Sequence, residues 1–319
     1  CEPLVFTPED GGTTEAPVTW SGDGGRPLIS GGREIAGWQD GTINGRPCWQ
    51  VTLPEVKAGR WWFTQLFVNG RRRLRARFPK RGFYHFAGVP EEEAKRDPGG
   101  DFHGAMSALF TPGEVCAFEN LEDITVVVPD HWYEGHLRIA SVDEAANTIH
   151  FATKGYSRFS RDETGRHTRF RLDHVKEACT EPGDWYLDRA SGVLSYIPMP
   201  TESRGATRIE APALDLLLSV QGDLLDPGKR VRNLRFEFFD FRHTDWEFPR
   251  ENPGCLQSDF SVPAAIRLVG AEDCALYGCR VSQVGGWAVD ILRNCHRNRV
   301  IACALHDLGA GGVKVGHEG

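Results

Sequence analysis

The chain has 319 residues, of which 40% are hydrophobic and 25% charged, enough apolar matter for a packed core in one large or two ordinary domains. A formal net charge of -7 argues against nucleic acid as a partner, because a phosphate backbone calls for a basic face. No apolar run reaches the length of a membrane-spanning helix.

The chain opens at Cys1 and enters a strand-like run, Leu4-Val5-Phe6, at once. It stops at Gly319, just after Val313-Lys314-Val315. Both ends read as cut, so a leader and further repeats are expected beyond them. Export to the periplasm or the medium is the expected location. Val18-Thr19-Trp20 and Leu28-Ile29-Ser30 follow as short strands between glycine-rich turns.

From about residue 37 the pattern changes. Trp61 to Val68 ends in Asn69-Gly70, the strongest short signal for a hairpin. Arg71, Arg72, Arg73, Arg75 and Arg77 alternate in part with apolar residues and read as the solvent face of a strand rather than a phosphate grip. Glu91 to Lys95 is a short helix stopped by Pro98-Gly99-Gly100. Leu121 to Val128 reads as a strand. Trp185-Tyr186-Leu187-Asp188, a Ser191-Gly192 turn and Val193 to Ile197 form another hairpin. Trp61, Trp62, Trp132 and Trp185 are expected mostly in a core. His131 and His136 lack a metal-ligand spacing, and no cofactor or metal is expected.

Leu216 to Val220 begins a region of internal repetition. Leu234–Phe241, Cys274–Val281 and Asn298–Leu305 align, the last two at an offset of 24 residues and the first two at 40. A proline-rich excursion through Phe248-Pro249 and Asn252-Pro253-Gly254 accounts for the longer step. In this register Phe236, Leu276 and Val300 stack, as do Phe239, Cys279 and Cys303, and Phe241, Val281 and Leu305. A period near two dozen residues with apolar columns marks a solenoid whose coils bury a shared interior. The leucine-rich-repeat spacing is missing, which leaves a parallel β-helix. The nine Cys are odd in number and contain no CxxC pair, so the five in the last quarter read as small wall residues.

The expected fold is therefore all-β: a right-handed parallel β-helix with an inserted antiparallel β-sandwich domain. Residues 1–36 supply the first coils, 37–209 the insertion and 210–319 the remaining coils.

Two residues past the apolar columns, the register lines up His243, Gln283 and Asp307, a polar row that suits sugar binding. Asp307 is the first catalytic carboxylate candidate, with His306 beside it to orient it. Asp245 is the second, with Trp246 as a stacking platform for a sugar ring. The alternative for this row is structural, since polar residues at coil corners commonly bond turn amides. Gly309-Ala310-Gly311-Gly312 precedes a strand rather than a helix, so it reads as a close coil contact and not a phosphate cradle.

Four blocks in order carry a resemblance: Gln65 to Arg72, Trp185 to Asp188, His243 to Trp246, and Asp307 to Gly316. Together they resemble secreted bacterial β-helix proteins of the glycoside hydrolase family 141 type, related in architecture to family 120 β-xylosidases. The resemblance implies a β-helix with an inserted sandwich, export, and a pair of carboxylates that cleaves xylose- or fucose-containing plant polysaccharide. It implies a polysaccharide or oligosaccharide partner and a monomer at full length. Two other readings stay open: a polysaccharide lyase on the same scaffold, and a non-catalytic carbohydrate-binding or adhesin-like solenoid.

Overall fold

A computed structural model describes residues 2–22, 24–96, 104–130, 133–156, 159, 168–255 and 257–316. His131 and Trp132 lie outside these. The described chain is nearly all β. Its α-helices are two short ones, Pro54–Lys57 and Glu91–Arg96, neither long nor apolar enough to cross a membrane.

Three parallel ladders form one half of the molecule. The first runs Leu4–Phe6, Leu218–Gln221, Ala264–Val269, Trp287–Ile291 and Val313–Val315. Val18–Ser21, Leu234–Glu237, Ala275–Tyr277 and Arg299–Ile301 make the second. Leu28–Ser30, Asp240–Arg242, Arg280–Val284 and Ala304–Leu308 make the third. The chain visits the ladders in the same order on every pass.

Register follows the sequence alignment. Phe236 pairs with Leu276 and Leu276 with Val300, while Phe241 pairs with Val281 and Val281 with Leu305. Residues from all three ladders share one apolar cluster, including Phe6, Leu218, Phe236, Phe241, Leu276 and Val289. Cys274 and Cys279 are buried in it, and Cys295 and Cys303 pack against it.

Between strands the backbone turns through left-handed residues that also repeat in register. Asn233, Asp273 and Arg297 form one such column. Phe238, Gly278 and Ala302 form a second, and His243, Gln283 and Asp307 the third. Short polar side chains and glycine tolerate positive φ best, which accounts for the polar bias of these columns. Phe238 and Ala302 take the same conformation without that tolerance.

The intervening residues form antiparallel sheets. An eight-stranded sheet has Tyr84–His85, Arg169–Asp173, Thr125–Pro129, Glu134–Asp143, Thr148–Phe151 and Ser107–Leu109 in spatial order, with Arg77–Phe78 and Gly254–Cys255 joined at its sides. A second sheet orders Trp185–Leu187, Val193–Tyr196, Arg46–Thr52 and Gln39–Ile43. A third orders Gly32–Glu34, Ile209–Pro212, Leu66–Val68 and Arg71–Arg73, with Asn69 and Gly70 at φ 49° and 68° making the expected hairpin turn. Two further apolar clusters fill these layers, one around Phe86, Phe151 and Phe170, the other around Phe63, Trp185 and Tyr196.

Two local expectations change. Leu121–Asp123 is a 3-10 turn, and the strand starts only at Thr125. Trp61 and Trp62 lie outside any strand, and the hairpin proper begins at Leu66.

Candidate functional site

The polar row His243, Gln283, Asp307 is the seam along which the hairpin docks. Asp245, just past the first of these corners, accepts hydrogen bonds from Thr64 N (2.6 Å), Thr64 Oγ1 (2.6 Å), Gln65 Nε2 (3.0 Å) and Trp246 N (2.9 Å). Burial raises its pKa against the pull of the Thr64 bonds. Both oxygens of Asp245 are thus engaged by the hairpin and by its own neighbour.

His243 is 2% exposed, packs its ring on Phe67 at a centroid distance of 4.7 Å, and shares a 2.9 Å hydrogen bond between Nδ1 and Ser30 Oγ. Gln283 donates through Nε2 to the turn carbonyl of Gly70 at 2.6 Å. Asp307 receives Arg72 Nε at 2.8 Å, and its carbonyl receives Arg72 Nη2 at 3.1 Å. Asp307 is exposed, as is His306. Three successive corners thus grip Phe67, Gly70 and Arg72 of one hairpin. Gly285 completes the fit: a Cβ there would fall on the backbone of Asp245 and Trp246. Gly309 likewise leaves room for the carbonyl of Gly285, which is the close coil contact expected of it.

Next to this seam lies a cavity of about 460 Å³, within the size range of small-ligand sites. Its walls come from Thr64 and Gln65, from the arginine run, from Thr125, Glu134, His136, Arg138, Arg171 and Asp173 of the eight-stranded sheet, and from Gly285 and Gly309 of the coils. The remaining wall is the excursion, which contributes Trp246, Glu247, Phe248, Asp259 and Val262. Of the residues singled out in the sequence, Trp246 lines the cavity, and Asp307 touches it only through Arg72. Arg72, Arg73, Arg75 and Arg77 line it as well, so they are a cavity wall and not the solvent face expected.

The excursion reaches the site by adding a strand. Gly254–Cys255 pairs antiparallel with Glu134 and Gly135, which brings the following turn beside Glu134. That turn is anchored from the coils: Trp287 Nε1 donates to Asp259 O (3.0 Å), and Lys314 Nζ donates to Phe260 O (2.7 Å) and Val262 O (3.0 Å).

Two carboxyl groups here are driven in opposite directions. Burial works to raise the Glu134 pKa, but the hydrogen bond and charge of His136 (2.9 Å), with Arg171 and Arg169 behind, overcome it and hold the group below its ordinary 4.5. Asp259 is raised above its ordinary 3.8, first by burial and then by the charge of Glu134. A third carboxylate, Glu247, is kept ionised by Arg138 and Arg75 in spite of its burial. His136 also packs on Phe248 at 4.9 Å, and Phe248 meets Trp246 edge to face at 6.2 Å.

Glu134, Asp259 and Glu247 were not singled out in the sequence, because none lies in the repeat register. The signal available was the excursion itself, a lengthening of one coil that has to go somewhere.

No family model and no curated protein matches the chain. Among solved structures, a chain titled "Glycoside hydrolase" superposes with a TM-score of 0.79 at 21% identity, over 98% of this chain and 58% of that one. The likeness is one of fold, and the chain spans a little over half of that neighbour's length.

Proposed function

We propose that this chain is the glycan-cleaving part of a secreted glycoside hydrolase acting on xylose- or fucose-containing plant polysaccharide. On this reading the three stacked ladders are a right-handed parallel β-helix of the pectin-lyase kind, and residues 37–209 are an inserted antiparallel domain. The observation that carries the proposal is the oppositely tuned pair Glu134 and Asp259 in one cavity. Hydrolysis of a glycosidic bond needs one carboxylic acid to protonate the leaving oxygen and one carboxylate on the other side of the bond. Asp259, whose pKa is raised by burial and its anionic neighbour, is assigned as the acid. Glu134, kept ionised by His136, is assigned as the nucleophile or as the base for water. Trp246 and Phe248 offer an apolar wall for a sugar face.

Asp245 and Asp307 are assigned a docking role instead. The lyase reading is less well supported, since no lysine is among the residues that line the cavity. Incubating the protein with xylan and with fucosylated pectin fragments and counting new reducing ends tests the proposal. Wild type and Asp307→Asn are expected to release sugar, and Glu134→Gln to lose activity by about a hundredfold or more. No release from either glycan, or full activity in Glu134→Gln, would remove the proposal.

A further inference from the structure

The cavity walls carry more positive than negative charge, although the chain as a whole is acidic at -7. Six arginines, at 72, 73, 75, 77, 138 and 171, face four carboxylates, Glu134, Asp173, Glu247 and Asp259. Their charges balance only through partners outside the cavity, and the hydrogen bonding is uneven. Arg72 and Arg73 turn to Asp307 and Glu202, neither of which lines the cavity. Arg138 pairs with Glu247 and Arg171 with Asp173. Arg77 enters no ion pair among the described residues, and Arg75, whose charge helps to keep Glu247 ionised, has its Nη1 buried without a hydrogen-bond partner. Trp246 Nε1, in the opposite wall, is also buried and unpartnered.

A guanidinium with a buried N–H left unbonded in a concave, partly desolvated wall is costly unless an acceptor completes it. The planar fork of arginine matches a carboxylate best, through two parallel hydrogen bonds. We infer that the cavity takes an acidic sugar, with the carboxylate of a uronate residue seated against Arg75 and Arg77. This rests on the hydrolase reading for the reaction, but the binding preference stands or falls separately.

The test is calorimetric titration with trigalacturonate and with its fully methyl-esterified form, which has nearly the same shape and no charge. The acidic form is expected to bind about tenfold tighter or better, and added salt is expected to erode that advantage. Arg77→Gln is expected to abolish the difference by weakening the acid far more than the ester. Arg75→Lys, which keeps the charge but not the fork, is expected to reduce it in part. Equal binding of acid and ester by wild type, binding of neither, or an undiminished preference in a folded Arg77→Gln would each overturn the inference. Preference for the acid without cleavage of any glycan would uphold it and count against the hydrolase instead.

Discussion

Thr64 and Asp245, 181 residues apart in the chain, are joined by two hydrogen bonds of 2.6 Å each. One comes from the Thr64 amide and one from its hydroxyl, and both end on the half-buried Asp245 carboxylate. The contact fixes the antiparallel hairpin onto the corner of a parallel coil. The cavity that holds Glu134 and Asp259 has Thr64 and Trp246 among its walls, so its shape depends on this joint.

Replacing Asp245 by Ala leaves the half-buried Thr64 amide without its acceptor. That costs about 1–3 kcal/mol for the amide alone, with the other lost bonds adding to it. Thermal denaturation is expected to show a clear drop in Tm. Activity per folded molecule is expected to stay within about twofold, since the group touches no substrate. Lost activity with an unchanged Tm would make Asp245 a reacting group after all.

The stack makes its own prediction at two neighbouring positions. Leu276 is 3% exposed and packs in the shared interior, whereas Ile301, two residues from the next coil's Cys303, is 40% exposed. Leu276→Ala is expected to cost about 2–5 kcal/mol by denaturant unfolding. Ile301→Ala is expected to stay within about 0.5 kcal/mol. Equal effects would mean that the two do not occupy opposite faces of the ladder.

His174 gives stability an acid limb. It is 1% exposed, stacks on Tyr186 at 4.6 Å, and its Nε2 lies 2.9 Å from Leu187 O. Burial, helped by Arg75, drives its pKa well below the ordinary 6.5. Above that value the imidazole is neutral in both folded and unfolded chains, so it adds no pH dependence. Below it the unfolded chain takes up a proton that the folded one refuses, and stability falls as pH falls. His174→Gln, which can keep a hydrogen bond to Leu187, is expected to flatten the decline in Tm between about pH 6.5 and 5. An unchanged slope would show that other groups carry it.

Much of the parallel half could be read from the sequence because its information is local and repeated. The 24-residue step from Leu276 to Val300 and from Val281 to Leu305 is the pairing found. The Asn69-Gly70 turn was legible for a similar reason, since few residues accept positive φ twice in a row. The polar row at His243, Gln283 and Asp307 was legible as a register, and the structural reading kept beside it describes the contacts found. Left-handed corners select such residues, and their side chains then serve the hairpin. The arginine run was misplaced because alternation marks two faces of a strand without saying that both are covered. Glu134 and Asp259 were out of reach altogether. They meet because Gly254–Cys255 pairs with Glu134 and Gly135, more than a hundred positions earlier, and nothing periodic announces that pairing.

The central claim is that Glu134 and Asp259 act as a carboxylate and a carboxylic acid in one reaction. The pH dependence of kcat/KM on a cleaved glycan tests it most directly, measured for wild type, Glu134→Gln and Asp259→Asn. The rate should rise with pH as Glu134 ionises, below the ordinary glutamate value, and fall as Asp259 loses its proton, above the ordinary aspartate value. The residual activity of Glu134→Gln should lack the rising limb, and that of Asp259→Asn the falling one. A bell-shaped profile unchanged in both variants would contradict the assignment.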